Sequence, residues 1–190
     1  MKLLEAKILQ EGRALNENVL IVDSFLNHQV DPMLMDAVGN EFARRFRDEG
    51  ITRVITIESS GISPALKTAA ALNVPMLILK KQASQILNEG TVQTEVYSFT
   101  KQTKYQLTVK KMFIKEGENI LLIDDFLAHG EAAFGAIRLI EACGAKVKGI
   151  GVVIAKTFQN GLEKLENAGY KVEVLAKIKR LDEGIIEFEE

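Results

Sequence analysis

Two adjacent carboxylates, Asp124 and Asp125, follow directly after an apolar run of four residues, 120–123 (ILLI). A short bridge then leads to Gly130, after which apolar residues recur at helical spacing. We therefore expect a buried strand, an acidic pair, a tight glycine turn and the N-terminus of a helix. Carboxylates suit sugar hydroxyls or Mg²⁺, and the free N–H groups of a helix N-terminus suit a phosphate. A phosphorylated sugar satisfies both requirements.

A second polar loop, residues 58–61 (ESSG), lies between a buried strand (53–57, RVITI) and a helix that begins near Ser63. Its small residues let backbone N–H groups approach an anion, and its two hydroxyls can add hydrogen bonds. Such loops are also common as plain turns, so the position of this loop carries the argument. Lys80, Lys81 and Lys156 likewise follow buried strands. Because the carboxyl ends of parallel strands meet at one edge of a sheet, all these groups are predicted to converge.

Each of these signals has a structural alternative. Asp124 and Asp125 can be a helix N-cap beside a solvated carboxylate, but two like charges directly after a buried strand repel and favour a ligand. The lysines can be a solvated sheet edge. No Lys-Ser or Lys-Thr follows Gly135, which excludes a Walker A loop. The histidines lack zinc spacing. The acidic pair therefore remains the strongest functional signal.

Length and composition predict one ordinary globular domain. The chain has 190 residues, of which 47% are hydrophobic and 26% charged. A net charge of −2 provides no general attraction to nucleic acid or to an anionic membrane. The single cysteine, Cys143, fits a reducing cytoplasm, and the amphipathic N-terminus resembles neither a signal peptide nor a membrane span.

The order of the predicted elements favours an α/β fold, a three-layer sandwich with a mostly parallel sheet. We expect residues 1–190 to form a single domain, with a small cap from about 1–30 and 157–190 and a hairpin lid at about 88–104. The predicted strands are 19–25, 53–57, 75–79, 93–99, 105–109, 120–123, 149–155, 170–178 and 184–188, and the predicted helices are 1–12, 31–48, 63–72, 131–143 and 160–168.

The segment 121–132 (LLIDDFLAHGEA) resembles the signature of the type I phosphoribosyltransferase family. That signature has apolar residues, two acids, a few apolar residues and then Thr/Ser-Gly-x-Thr/Ser. Here His129 and Ala132 replace the hydroxyl residues, which weakens hydroxyl donation to a 5′-phosphate but leaves the backbone amides. Ala128 stands where members acting on 6-oxopurines usually carry an Asp proton acceptor. Members acting on adenine carry Ala there, so the motif alone indicates an adenine-like lineage and does not settle the base.

The resemblance extends over nearly the whole chain to the bacterial branch of this family that acts on xanthine. It implies a cytoplasmic homodimer of purine salvage, with xanthine and 5-phosphoribosyl 1-diphosphate as small-molecule substrates and xanthosine 5′-monophosphate and diphosphate as products. It implies no organic cofactor and no nucleic-acid or membrane partner. The stretches that carry it are 22–32 (VDSFLNHQVDP), 56–65 (TIESSGISPA), 96–103 (VYSFTKQT), 123–132 (IDDFLAHGEA) and the region around Lys156.

The same resemblance implies roles for individual residues. The 5′-phosphate would be held by Ala128, His129, Gly130, Glu131 and Ala132. The ribose hydroxyls would be bound by the catalytic Asp124 and Asp125, directly or through Mg²⁺. The diphosphate would be bound by Glu58, Ser59, Ser60 and Gly61, with Lys81 as a further contact, and xanthine by Leu20, Asn27 and Lys156. Xanthine has two carbonyls, and the amide and ammonium of Asn27 and Lys156 are donors. Buried donors would reject adenine by on the order of 10⁴-fold.

Two alternatives remain open from the sequence. An enzyme of the same fold can use guanine, hypoxanthine or adenine instead of xanthine. A regulator can bind phosphoribosyl diphosphate through the same loops, but it needs a DNA-binding element, and neither a basic recognition helix nor a spare domain is predicted.

Overall fold

Five α-helices and ten strands make up the part of the chain that the computed structural model describes, residues 1–82, 89–98 and 102–189. A short π-helix, Asp23–Asn27, and a 3₁₀ turn, Lys111–Phe113, complete the described elements. The helices are α1 (Lys2–Glu11), α2 (Pro32–Phe46), α3 (Ile62–Leu72), α4 (Glu131–Ala142) and α5 (Gly161–Asn167). The strands are β1 (Arg13–Ala14), β2 (Leu20–Ile21), β3 (Arg53–Ile57), β4 (Met76–Gln82), β5 (Thr91–Ser98), β6 (Thr103–Lys110), β7 (Asn119–Leu127), β8 (Lys146–Lys156), β9 (Val172–Asp182) and β10 (Ile185–Phe188).

The main sheet of the described chain has eight strands in the order β10-β9-β8-β7-β3-β4-β6-β5. The five strands from β9 to β4 pair in parallel, whereas β10, β6 and β5 pair antiparallel at the two ends. The predicted α/β fold with a mostly parallel sheet is confirmed. Because β3, β4, β7 and β8 are parallel neighbours, the residues that follow them lie at one edge, where the predicted site residues were expected to meet.

Two hydrophobic cores lie on opposite faces of this sheet. Successive side chains of β7 alternate between them, so that Leu121 and Ile123 face one core and Ile120 and Leu122 face the other. The first core includes side chains of α1, α2 and α3, and the second those of α4 and α5. A continuous apolar run such as 120–123 within β7 is the pattern expected for a sheet covered on both faces. The result is the predicted three-layer sandwich.

The predicted start of α2 at Asp31 and Pro32 is confirmed by the contacts of these two residues. Asp31 caps α2, since one of its carboxylate oxygens accepts from the backbone N–H groups of Met33 (3.0 Å) and Leu34 (3.1 Å). Pro32 follows at the first helical position, where its missing N–H has no partner to lose. Within the described chain, no helix is long and apolar enough to span a membrane.

Several predicted strand boundaries differ from the structure, and two of the differences bear on the site. Residues 19–25 were expected to form one strand, but only Leu20–Ile21 pair with β1, and the π-helix follows. That turn lets the neighbours Phe25 and Leu26 both enter the core, whereas consecutive strand residues would point to opposite faces. The strand predicted at 120–123 continues to Leu127, because β8 runs beside it and pairs Leu127 with Ala155. The acidic pair therefore lies inside a strand rather than after one.

The terminal segments contact each other, but the C-terminal part is not a separate cap. The N-terminal ammonium donates to the carbonyl of Leu175, and the N–H of Gly184 donates to the carbonyl of Ala14 (3.1 Å). However, β9 and β10 extend the central sheet beyond β8. Because several residues of β9 are buried in the core, this strand forms part of the sheet. The single-domain boundaries 1–190 stay a prediction.

The predicted hairpin is formed by β5 and β6, which pair from Thr91–Lys110 to Ser98–Thr103. Part of the predicted lid, residue 88 and residues 99–101, lies outside the described residues. The guanidinium of Arg138 on α4 donates to the Thr94 hydroxyl (3.1 Å) and to the Glu95 carbonyl (2.9 Å). The hairpin is therefore fastened to the same helix whose N-terminus faces the acidic pair.

Candidate active site

Asp124 and Asp125 lie side by side near the end of β7, where their carboxylates interact with each other and also with different neighbours. Asp124 faces the loop at 58–61: a Cβ on Gly61 would stand 3.2 Å from its carboxylate oxygen. Asp125 accepts a hydrogen bond from the amide nitrogen of Asn27 (3.0 Å), which arrives from the N-terminal side. The two carboxylates thus join two halves of the site.

Desolvation raises the pKa of Asp124 well above its ordinary value, and the nearby Asp125 charge raises it further. The Lys81 ammonium opposes this effect by favouring the ionised form. Burial, with a smaller contribution from the Asp124 charge, raises the pKa of Tyr105 to about 12, so its phenol stays protonated and can donate. The arrangement has an excess of negative charge that a cation or a set of hydroxyl donors would relieve.

The loop that leads into α4 forms an anion cradle from backbone groups. Gly130 is the N-cap of α4, and its φ of +87° is a conformation that favours glycine. Beneath it lies Gly161, whose N–H donates to the carbonyl of Ala128 (3.0 Å). A Cβ on Gly161 would stand only 2.3 Å from that carbonyl oxygen. This close packing fixes the direction of the loop, and the free N–H groups at the start of α4 face a potential phosphate.

The second loop, residues 58–61, faces the same cavity, but the Glu58 carboxylate is already engaged. It accepts from the backbone N–H of Lys81 (2.5 Å) and pairs with the ammonium of Lys80 (3.3 Å). The Glu58–Ser59 peptide bond is cis. With its carboxylate bound to β4, this loop can offer an anion the backbone and hydroxyl groups of Ser59 and Ser60. The Lys81 ammonium lies 5.5 Å from the centre of the Tyr105 ring.

These groups line a cavity of about 300 Å³. It brings together most of the predicted phosphate, diphosphate and ribose residues, and Gly61 lies behind it against Asp124. The lining residues from the predicted set are Glu58, Ser59, Ser60, Lys81, Asp124, Asp125, Ala128, His129, Gly130, Glu131 and Ala132.

A second cavity of about 740 Å³ adjoins the first and shares Phe126, Ala128 and His129 with it. Leu20 and Lys156 line this cavity, as predicted for contacts to a base, but Asn27 does not. Burial lowers the pKa of Lys156. Its ammonium donates to the carbonyl of Asn18 (2.5 Å) and lies 5.6 Å from the centre of the Phe126 ring. A flat ring with carbonyl groups suits this aromatic and cationic wall.

The family model for the phosphoribosyl transferase domain matches residues 30–188 of this chain. The match includes both loops and the acidic pair. This chain belongs to the phosphoribosyltransferase family.

Relatives of this phosphoribosyltransferase cover almost its whole length. Xanthine phosphoribosyltransferase 1 of Clostridium botulinum is 58% identical over 188 residues, 99% of each chain. Xanthine phosphoribosyltransferase of Streptococcus pneumoniae is 50% identical over 190 residues, 100% of this chain and 98% of the relative. The solved adenine phosphoribosyltransferase of Thermoanaerobacter pseudethanolicus superposes with a TM-score of 0.74 over 92% of this chain and 99% of its own, at 22% identity. That structural likeness shows the fold.

Several residues of this phosphoribosyltransferase site are not evident from the sequence. Phe126 stands between the two cavities, and its place inside the acidic motif is the only sequence signal that points to it. Tyr105 comes from the hairpin, and Gly161 from the start of α5. Gln159 reaches the wider cavity three residues after Lys156. Their roles depend on contacts between distant elements, which no local pattern contains.

Proposed function

We propose that this phosphoribosyltransferase transfers the 5-phosphoribosyl group from 5-phosphoribosyl 1-diphosphate to xanthine, giving xanthosine 5′-monophosphate and diphosphate. The observation that carries this is the pair of adjoining cavities, one with an anion cradle and acidic pair, the other with a lysine donor and an aromatic wall. Relatives that are 50–58% identical over nearly the full chain are xanthine phosphoribosyltransferases, which supports xanthine as the base.

We infer the roles of the residues from their places in the two cavities. Residues 128–132 would hold the 5′-phosphate, and residues 58–61 with Lys81 the diphosphate. Asp124 and Asp125 would meet the ribose hydroxyls. Leu20 and Lys156 would contact the base. A contact between Asn27 and xanthine stays a prediction, since its amide is bound to Asp125 and lies outside the residues that line the wider cavity.

Magnesium fits the acidic pair. Mg²⁺ prefers oxygen ligands and is commonly held by one or two carboxylates together with substrate phosphates. Among the described residues, no group of three or more His, Cys, Asp or Glu is arranged to hold a metal by itself. We infer that Asp124 and Asp125 hold Mg²⁺ together with the diphosphate substrate. When bound, the metal would neutralise charge on the diphosphate and on the carboxylates.

The protein's contribution to the transfer would be positional and electrostatic. Departure of diphosphate leaves positive charge on the ribose ring, which the field of Asp124 and Asp125 would stabilise. The cradle and the loop at 58–61 would hold the two ends of the sugar substrate in line with the base. Tyr97, Ser98 and Tyr105 of the hairpin line the same cavity. Closure of the hairpin over it would exclude water, which otherwise hydrolyses the activated sugar.

We also propose a homodimer in the cytoplasm. A homodimer is supported by exposed apolar side chains: Met112 is 77% and Phe113 48% exposed, and Phe113 lines a groove that also contains Met76 and Leu77. Sedimentation should give twice the 21.1 kDa mass of one chain. A Met112→Lys, Phe113→Lys variant should sediment as a monomer with unchanged circular dichroism. A wild-type mass of 21.1 kDa at micromolar concentration would contradict the dimer.

The proposal that the protein is located in the cytoplasm is supported by its single buried cysteine, which fits a reducing compartment.

The proposed function is tested by diphosphate release with four bases in parallel. With 5-phosphoribosyl 1-diphosphate and Mg²⁺, kcat/KM should be highest for xanthine, lower for guanine and hypoxanthine, and lowest for adenine by on the order of 10⁴-fold. Chelation of the metal with EDTA should abolish release, and added Mg²⁺ should restore it. A higher kcat/KM for adenine than for xanthine would overturn the proposed base, and no base-dependent release with any of them would overturn the transferase activity.

A further inference from the structure

The wider cavity contains an amide that no predicted role uses, that of Gln159. Two carbonyls of a dioxopurine require two donors, and Lys156 supplies one. The second expected donor, Asn27, is bound to Asp125 and does not line the wider cavity. Gln159 instead lines the cavity beside Lys156. It is therefore the amide best placed to meet the base.

The direction of this amide follows from its neighbours. The Asn18 side chain donates its amide N–H to the Glu17 carboxylate (3.3 Å), which can only accept. The Asn18 amide oxygen must then point away, toward Gln159, and it accepts from Nε2 of Gln159 (3.4 Å). Oε1 of Gln159 is buried and has no hydrogen-bond partner within the described part of the chain. A buried acceptor without a partner is unfavourable, so a ligand that donates to it would be stabilised.

Asn18 presents two carbonyl oxygens to the two donors of the cavity. Its backbone oxygen accepts from Lys156 (2.5 Å), and its side-chain oxygen accepts from Gln159 (3.4 Å). These are the contacts that two ring carbonyls would make. The long contact to Gln159 is at the limit of a hydrogen bond and is readily exchanged for a better one.

We propose that Gln159 is a further specificity-determining residue, whose amide pairs with a lactam edge of an oxopurine. Nε2 donates to one ring carbonyl, in place of Asn18, and Oε1 accepts from the adjoining ring N–H. Lys156 donates to the other carbonyl. This inference rests on the proposed function, since it names the groups of the base that the wider cavity distinguishes.

The test is Gln159→Met, which removes the amide at similar volume, with three bases. Xanthine has carbonyls at C2 and C6, hypoxanthine at C6 only and 2-hydroxypurine at C2 only. We expect kcat/KM to fall about tenfold or more for xanthine and for one of the two single-carbonyl bases, with the other unchanged. A base that is not turned over is measured by its inhibition constant against xanthine. KM for 5-phosphoribosyl 1-diphosphate should not change.

Matched variants separate recognition from support of the loop. Gln10→Met makes the same change on the exposed face of α1 and should leave all values unchanged. Lys156→Met should impair the single-carbonyl base that Gln159→Met spares. Gln159→Asn, which keeps the amide but shortens its reach, should reproduce the Gln159→Met pattern and serves if Gln159→Met folds poorly.

The outcomes also distinguish this inference from the proposed function. If wild type does not turn over xanthine, the proposed function fails. If it does, and Gln159→Met lowers kcat/KM equally for all three bases or for none, only the role of Gln159 is overturned. The role of Gln159 is likewise overturned if Asn27→Ala, and not Gln159→Met, lowers kcat/KM for xanthine and for only one of the two single-carbonyl bases.

Discussion

Replacement of both Asp124 and Asp125 by asparagine is expected to lower kcat/KM by about 10²–10³-fold, the usual effect of removing electrostatic stabilisation from a transition state. Asparagine keeps the shape of the side chains but removes the negative field from the cavity of about 300 Å³ that they line. It also removes the carboxylate ligands proposed for Mg²⁺. The measurement is xanthine-dependent diphosphate release by the purified double variant, beside wild type, at saturating Mg²⁺.

The double variant should retain its fold. Because the pKa of Asp124 is raised in the folded protein, the folded state binds a proton there more tightly than the unfolded chain does. Stability from this group is therefore fully present below the ordinary pKa of 3.8 and is lost as pH rises toward and through the raised value. An uncharged asparagine in place of Asp124 removes that loss, so the midpoint of thermal unfolding at pH 7 should be equal or higher.

The single variants provide the controls for this prediction. Asp125→Asn alone should weaken the contact with Asn27 and relieve part of the repulsion on Asp124. Asp124→Asn alone should raise the unfolding midpoint at pH 7, and the difference from wild type should vanish near pH 3. Unchanged turnover in the double variant would refute the catalytic assignment, whereas a lower midpoint would refute the electrostatic account of Asp124.

The core of the fold is predictable because its signals are local. A continuous apolar run such as 120–123 is typical of a strand covered on both faces, and Asp31 before Pro32 is a helix start that needs no tertiary contact. The extension of β7 to Leu127 is different. It depends on the neighbouring strand β8, which reaches Lys156 and supplies the hydrogen-bond partners. Polar residues such as Asp124 cannot reveal this by periodicity.

The clustering of the candidate site residues could be predicted about as far as strand order allows. Parallel strands β3, β4, β7 and β8 bring the loop at 58–61, Lys81, the acidic pair and Lys156 to one edge, and this could be inferred from residues that follow apolar runs. The hydrogen bonds between these residues could not be inferred from the sequence. The contact of Asn27 with Asp125 joins residues 98 positions apart. The engagement of Glu58 with Lys80 and Lys81 depends on the register of two strands.

Gly161→Ala is expected to raise KM for 5-phosphoribosyl 1-diphosphate by on the order of 10²-fold, because a misplacement of about 1 Å at a site can have that effect. The added Cβ would stand 2.3 Å from the carbonyl oxygen of Ala128, 2.8 Å from the nitrogen of Gly130 and 2.9 Å from the carbonyl carbon of His129. All three are backbone atoms, so no side-chain rotation can relieve the contact. The loop proposed to hold the 5′-phosphate and the start of α5 must therefore move apart.

Gly169→Ala is the matched control, since it adds the same methyl group elsewhere in the chain. Gly169 has φ of +88° and nothing within 4 Å of the added Cβ. That variant should be destabilised by backbone strain, about 1 kcal/mol, yet keep the wild-type KM. Gly161→Ala should instead show a raised KM at temperatures where both variants are fully folded by circular dichroism. An unchanged KM in Gly161→Ala would contradict the prediction that the packing of residues 128–130 against Gly161 positions them for the substrate.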